Sequence, residues 1–260
     1  ILDDHKSTLT ANKLRTHFFN KGYFNATVKT TTIRDDKNAL VTYSIDKKEP
    51  FKIGKISYNI SSPVIDSILN KDHVHIALKE GKQYDLENFK KTITNISETL
   101  RNNGIYHFRN DLISFRGIDT IAKNNITPVI INIENRKIKQ KNEVLELPTK
   151  QQTIKRITVY TAYSYNERNK SYNTKETRDS IQFFAHSKLK HKTKTLSNSI
   201  FIKPNEVYSD EKIELTRQHL RSLNNFKSVK INIREIDDEN LEASIVLNPL
   251  KKYGIGINTE

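Results

Sequence analysis

The 260-residue chain contains no cysteine, no methionine and no tryptophan. Without cysteine there can be no disulfide, no thiolate metal site and no cysteine nucleophile, although this absence does not separate cytosol from periplasm. A chain that opens Ile1-Leu2-Asp3-Asp4 and has no methionine anywhere reads as a fragment of a longer precursor, with any targeting signal upstream. No run of eighteen apolar residues occurs, so no membrane-spanning helix is expected. Only seven glycines are present, and they form neither a phosphate-cradling loop nor a flexible Gly/Ser linker. There is no Gly-x-Ser-x-Gly elbow and no pair of acids whose spacing sets it apart from ordinary surface charge. His73 and His75, two apart, lack a third ligand or a neighbouring acid cluster and make a weak zinc signal. His186 and His191 lie in a lysine-rich run that reads as basic surface. Catalysis, cofactors and metals are therefore not expected.

Positive charge is what the chain has in excess, with 44 Lys and Arg against 30 Asp and Glu and a net charge of +14. Such a balance suits nucleic acid, lipid headgroups or acidic protein, or serves solubility alone. Hydrophobic residues make up 35%, which favours several small cores over one large core.

The clearest pattern runs from Asn205 to Pro249. Ser209 is placed to cap a helix with Asp210 and Glu211 in its first turn, Ile213, Leu220 and Leu223 follow at mostly helical spacing, and Asn224-Asn225 ends it. Val229, Ile231 and Ile233 then alternate with Lys230, Asn232 and Arg234. After a turn at Asp237–Asn240, Leu241, Ala243, Ile245 and Leu247 alternate in a return strand. The same helix-hairpin unit appears twice upstream. One copy places Leu14 and Phe18 on a helix ending at Gly22 before two strands; the other has a helix from Tyr84 to Gly104 before strands at Asp111–Phe115 and near Val129–Ile133. The middle copy also has a preceding strand at Phe51–Tyr58 and a short helix opening at Pro63. In the last copy Ile154, Ile157 and Val159 mark the first strand, and helical spacing resumes at Ser180, Ile181, Phe183, Phe184 and Leu189.

These periods predict an α+β fold of tandem βααββ modules, each a three-stranded mixed sheet covered on one face by two helices. Residues 1–49 form the C-terminal part of a truncated module and 50–137 a complete one. A linker or irregular edge follows at 138–152, then a complete module at 153–249 with an insertion at 161–177. Connection rules make the last strand parallel to the first, and one arrangement places it centrally, which would leave two open edges per module. Tyr253, Ile255 and Ile257 alternate with Gly254, Gly256 and Asn258, so 250–260 is expected to begin a further strand.

The tandem units, with Gly22-Tyr23-Phe24 and Gly104-Ile105-Tyr106 after each long helix, resemble POTRA domains, the periplasmic arm of the outer-membrane insertase superfamily that includes BamA and TamA. Four further stretches, Glu49–Gly54, Arg156–Tyr160, Ser199–Pro204 and Leu250–Gly256, are similar to TamL lipoproteins of the Bacteroidetes type. The resemblance covers nearly the whole chain but lacks the lipid-bearing Cys and all but the first residues of a barrel. It implies a position on the periplasmic side of the outer membrane. The partners it implies are unfolded outer-membrane protein clients, a TamB-like inner-membrane protein or other assembly subunits, and the outer membrane itself through the barrel. The other readings are a passive spacer and a basic nucleic-acid-binding module. Nucleic acid is disfavoured because the charge excess is spread over all three copies and the chain finishes in an alternating Gly-rich strand.

Three sites follow. Lys227, Ser228, Val229, Lys230, Ile231, Asn232, Ile233, Arg234 and Glu235 form an edge strand whose backbone can pair with an added polypeptide strand. A Pro at Lys230 or Asn232 would test it, provided the N–H removed faces outward. Lys48, Glu49 and Pro50 form an inter-module hinge. Tyr163, Tyr165, Arg168, Lys170 and Tyr172 form a contact loop for partner or lipid, inside a stretch (161–203) with nine Lys or Arg against three acids.

Overall fold

The computed structural model describes residues 3–36, 38–72, 74–140, 143–161 and 171–250. It divides into two compact units, residues 1–97 with 109–147 and residues 98–108 with 148–260.

The first unit opens with α1 (Asp4–Asn20), capped by the Asp3 carboxylate, which accepts the His5 N–H at 2.9 Å. Strands β1 (Thr27–Arg34) and β2 (Ala39–Asp46) form an antiparallel hairpin closed at Asp35 and Asn38 by reciprocal backbone bonds of 2.8 and 3.2 Å. No third strand joins this hairpin among the described residues, and Ile33 and Leu40, opposite each other in the ladder, both stay exposed. The complete copy follows: β3 (Lys52–Ile60), α2 (Pro63–Lys71), α3 (Leu86–Asn102), a 3-10 turn at Asn110–Leu112, β4 (Ile113–Arg116) and β5 (Ile126–Ile133). Sheet order is β3-β5-β4, with β5 central, parallel to β3 and antiparallel to β4. Pro63 occupies the first turn of α2, and the Ser62 hydroxyl accepts the Ile65 N–H. Phe51, Ile53, Ile65, Phe89, Ile96, Val129, Ile131 and Ile133 are buried.

Much of the stretch 138–152, expected to be linker or irregular edge, belongs to a second hairpin, β6 (Arg136–Gln140) with β7 (Glu143–Leu147). Its alternation is masked by charge. Lys137 faces Glu146 across the ladder while Ile138 faces Leu145, so period two survives in a segment that is polar by count.

In the second unit β8 (Thr153–Tyr160), β12 (Phe226–Glu235) and β13 (Asn240–Pro249) form the expected sheet, with β13 central. β13 is parallel to β8 and antiparallel to β12. Helix α5 (Asp210–Ser222) is capped by Ser209, whose hydroxyl accepts the Lys212 N–H at 3.3 Å, and Asn224 takes the left-handed conformation at φ 53° just beyond it. Leu196 from α4 (Thr193–Asn198) and Ile213 and Leu220 from α5 pack with Ile157, Val159, Val229, Ala243, Ile245 and Leu247 of the sheet.

This sheet is larger than the expected three strands. β9 (Thr174–Arg178) and β10 (Ile181–Ala185) extend it to β12-β13-β8-β10-β9, and β11 (Glu206–Val207) pairs with the start of β8. The helical spacing read at Ser180–Leu189 is therefore corrected to a strand. Ile181, Phe183 and Ala185 are buried while Gln182 and Phe184 are half-buried, a period of two that fits equally well on a short apolar run. Asp179 and Ser180, at φ 50° and 62°, make a two-residue turn from β9, with Arg178 opposite Ile181. The part of the expected insertion from Thr174 onward is thus sheet. Because β10 lies along β8 in parallel register, the first strand of this unit has no open edge.

Candidate functional site

Among the described residues strand β12 has one hydrogen-bonded neighbour, β13, so its other side is an edge. Which backbone groups face that edge follows from the register. The Ile236 N–H donates to the Asn240 carbonyl at 2.9 Å, and pairing continues one-to-one from Glu235↔Leu241 to Ser228↔Asn248. Since hydrogen-bonded and non-hydrogen-bonded pairs alternate in an antiparallel ladder, Ser228, Lys230, Asn232 and Arg234 bond to β13. The N–H and C=O groups of Val229, Ile231 and Ile233 point to the edge. The N–H groups of Lys230 and Asn232, chosen from sequence for a Pro test, therefore face inward and are ladder bonds; the outward positions are the alternate ones. Lys227 sits at a register shift between Phe226 and Ser228.

Side chains divide the other way. Val229 is buried, and Ile231 and Ile233 pack against the core, whereas Lys230, Asn232 and Arg234 are exposed. Arg234 and Arg156 both donate to the nearly buried Glu242 carboxylate of β13, Arg156 Nη1 at 3.3 Å. At the end of the strand the Glu235 carboxylate accepts from Gln152 Nε2 at 3.2 Å and contacts His107.

Of the expected hinge, Lys48 is at φ 58° with its ammonium 2.7 Å from Asp46, Glu49 is exposed, and Pro50 is half-buried beside the fully buried Phe51. Of the expected contact loop, Tyr163, Tyr165, Arg168 and Lys170 lie outside the described residues, as does His73. Tyr172 is described, stacked on His186 at 4.3 Å and lying 4.9 Å from Tyr160.

A second arrangement, built once in each unit, escaped sequence reasoning. In the first unit Gly22 is at φ +86°, and its carbonyl accepts the Phe51 N–H at 2.8 Å. The Phe51 carbonyl accepts the Tyr84 N–H at 2.8 Å, and Gln83 Nε2 donates to the Lys21 carbonyl at 2.7 Å. In the second unit Gly104, at φ +88°, accepts the Gln152 N–H at 2.8 Å, and the Gln152 carbonyl accepts the Tyr208 N–H at 2.9 Å. Gln151 Nε2 donates to the Asn103 carbonyl at 2.9 Å. The two glycine motifs noted after the long helices are thus one end of a repeated clasp. Its other end, a Gln and a Tyr far along the chain (Gln83 and Tyr84 in the first unit, Gln151 and Tyr208 in the second), carried no local signal in the sequence.

The second clasp also holds a charge network. Arg101 donates through Nε and, at 2.8 Å, through Nη2 to Asp210; its Nη1 donates to the Tyr106 carbonyl at 2.6 Å, and the Tyr208 hydroxyl donates to Asp210. Burial alone would raise the Asp210 carboxyl, but the hydrogen bonds from Arg101 and Tyr208 outweigh it and hold the group below its usual value. Burial, with the Asp210 hydrogen bond, pushes the Tyr208 hydroxyl well up.

A carboxylate whose pKa is lower folded than unfolded contributes stability that is complete above its unfolded value, about 4, and lost as pH falls through the folded value. Asp210 is 41% exposed, so solvent screening limits its contribution to about 1 kcal/mol. Asp210→Asn should lower the urea midpoint at pH 7 and shrink the drop in midpoint between pH 5 and pH 3. An equal drop in both proteins would remove Asp210 as a source of acid lability.

No protein-family model matches the sequence, and no curated protein matches it. Among solved structures the chain is similar to POTRA domains 3–5 of BamA from Haemophilus influenzae, at 13% identity and a TM-score of 0.42, covering 92% of this chain and 78% of that one. It is also similar to BamA from Haemophilus ducreyi lacking POTRA domains 1–3, at 10% identity and a TM-score of 0.47, covering 77% and 30%. A third is POTRA1–3 of the periplasmic domain of Omp85 from Anabaena, at 11% identity and a TM-score of 0.32, covering 93% and 81%.

Proposed function

We propose that the chain is the periplasmic POTRA arm of an outer-membrane protein assembly or translocation factor of the BamA/TamA type, one that resembles the TamL lipoproteins. Its role is binding rather than catalysis: the arm captures extended client or partner polypeptides by adding a strand to a sheet edge and passes clients to an attached barrel. The observation that carries this reading is the outward row of backbone groups at Val229, Ile231 and Ile233, on a strand that among the described residues bonds to β13 alone. The sequence motifs and the βααββ order with a central last strand support the family. Unfolded outer-membrane proteins and a TamB-like inner-membrane subunit are the partners this reading implies, with Tyr163, Tyr165, Arg168, Lys170 and Tyr172 as an accessory contact and Lys48–Pro50 as the hinge.

Proline at Ile233 tests the edge, because it removes an outward N–H without touching the ladder to β13. Ile233→Ala serves as the control, since it loses the same half-buried side chain but keeps the N–H. In the full-length protein, assembly activity should fall in the Pro variant well below that of the Ala variant, at similar urea midpoints. Asn232→Pro breaks an inward bond and should instead reduce stability. Equal activity of the Pro and Ala variants at Ile233 and again at Ile231 would eliminate β12 as the docking edge.

A further inference from the structure

The second unit contains a cavity of about 420 Å³ lined by Arg178 at the end of β9, by Lys190, His191 and Lys192 from the segment after β10, by Lys194 in α4 and by Glu176. Its volume falls within the roughly 300–1,000 Å³ of ligand pockets, but its lining is cationic where theirs is mostly apolar. Arg178, Lys190, Lys192 and Lys194 are four basic side chains on this lining. The one acid, Glu176, already accepts the hydroxyl of the buried Thr193. None of the four cations forms an ion pair among the described residues, although other cations of the chain commonly do: Lys21 with Asp85, Arg101 with Asp210, Lys150 with Asp238, and Arg156 and Arg234 with Glu242.

Solubility alone would scatter such charges over convex surface, where they repel each other least. Here the chain holds them together around one concavity. Arg178 is fixed by the β9 ladder, Lys194 by α4, and the intervening segment by the His191 ring, which packs on Phe226 at 4.8 Å. Like charges gathered in a concavity raise the local potential and attract an anion that can satisfy several donors at once. A phosphate group does so with three or more acceptor oxygens, and a lysine cluster binds it as a set of point charges.

We propose that this cavity binds a phosphate-bearing anion, supplied by a lipid headgroup or by a free phosphate compound. The test uses the 260-residue chain with two probes: inorganic pyrophosphate, followed by titration calorimetry, and vesicles of phosphatidylglycerol in phosphatidylcholine, followed by co-sedimentation against pure phosphatidylcholine. The site variant is K190Q/K192Q/K194Q. The control, K29Q/K123Q/K139Q, removes the same charge from exposed lysines elsewhere. All six positions are exposed, so both variants should keep the parent's urea midpoint.

Binding to at least one probe should weaken at least about tenfold in the site variant and less than about twofold in the control. Pyrophosphate binding without vesicle binding assigns the site to free phosphate compounds; vesicle binding lost in the site variant assigns it to headgroups. Failure to bind either probe, or equal losses in both variants, overturns the proposal, as would binding of poly-glutamate in place of both. No client, barrel or assembly partner enters the measurement, so its outcome is independent of the edge-strand reading.

Discussion

Phe183→Ala is expected to destabilise the second unit by about 3–5 kcal/mol, enough to unfold a marginal domain. Phe183 is fully buried in β10, opposite Val159 of β8, within the cluster that includes Leu196, Leu220 and Ile245. Truncation would leave a cavity against the sheet, and the strands cannot close over it without breaking ladder bonds. The neighbouring Phe184→Ala supplies the contrast, because that ring lies on the opposite face, half-buried and stacked on Tyr160 at 5.7 Å. Its loss should cost about 1 kcal/mol. Urea unfolding of both variants measures the difference. Were the two costs equal, β10 would not be a core strand. On the same grounds, deleting residues 172–186 should unfold the unit rather than trim a loop.

Gly22→Ala should cost the first unit about 3 kcal/mol by two mechanisms that add. At φ +86° an L-residue is strained. A Cβ built there would also lie 2.8 Å from Tyr84 Cβ, 2.8 Å from the Tyr84 carbonyl oxygen and 3.3 Å from the Phe51 carbonyl. Two of these neighbours are backbone, held by the clasp from Gly22 to Phe51 to Tyr84, so relief requires breaking those bonds. Gly81→Ala separates the mechanisms, since Gly81 is at φ +76° with nothing within 4 Å of the added carbon. It should cost only the strain, about 1–2 kcal/mol. Matching losses at Gly22 and Gly81 in thermal or urea unfolding would show that crowding at the clasp contributes nothing.

Periodicity and capping were enough to place most of the elements. Pro63 and Ser209-Asp210-Glu211 start α2 and α5, Asn224 ends α5, and the alternation at Val229–Ile233 and Leu241–Leu247 gives a strand pair whose partners are nearest neighbours in sequence. Such signals are local, and so they survive in a single sequence. The central position of the last strand was also legible, because short connections and a parallel return leave few arrangements. At β12 the sequence alone supplied the edge strand, but not which of its N–H groups face outward.

What remained for the tertiary structure depends on contacts between residues far apart in the chain. Ile181–Ala185 is short enough to fit either period, and it is a strand because the open side of β8 offers a parallel ladder, burying Phe183 where a helix could not. The outward row on β12 was settled by the turn bond from Ile236 to Asn240, since a one-residue shift in register exchanges inward and outward groups. Arg101 and Asp210 are 109 residues apart, and Lys190–Lys194 meets Arg178 only across the β9–β10 turn and α4. Sequence determines which residues carry charge or apolar surface and at what local period. Only packing decides which of them share a cavity or a clasp, because chain closure over long separations leaves no periodic trace.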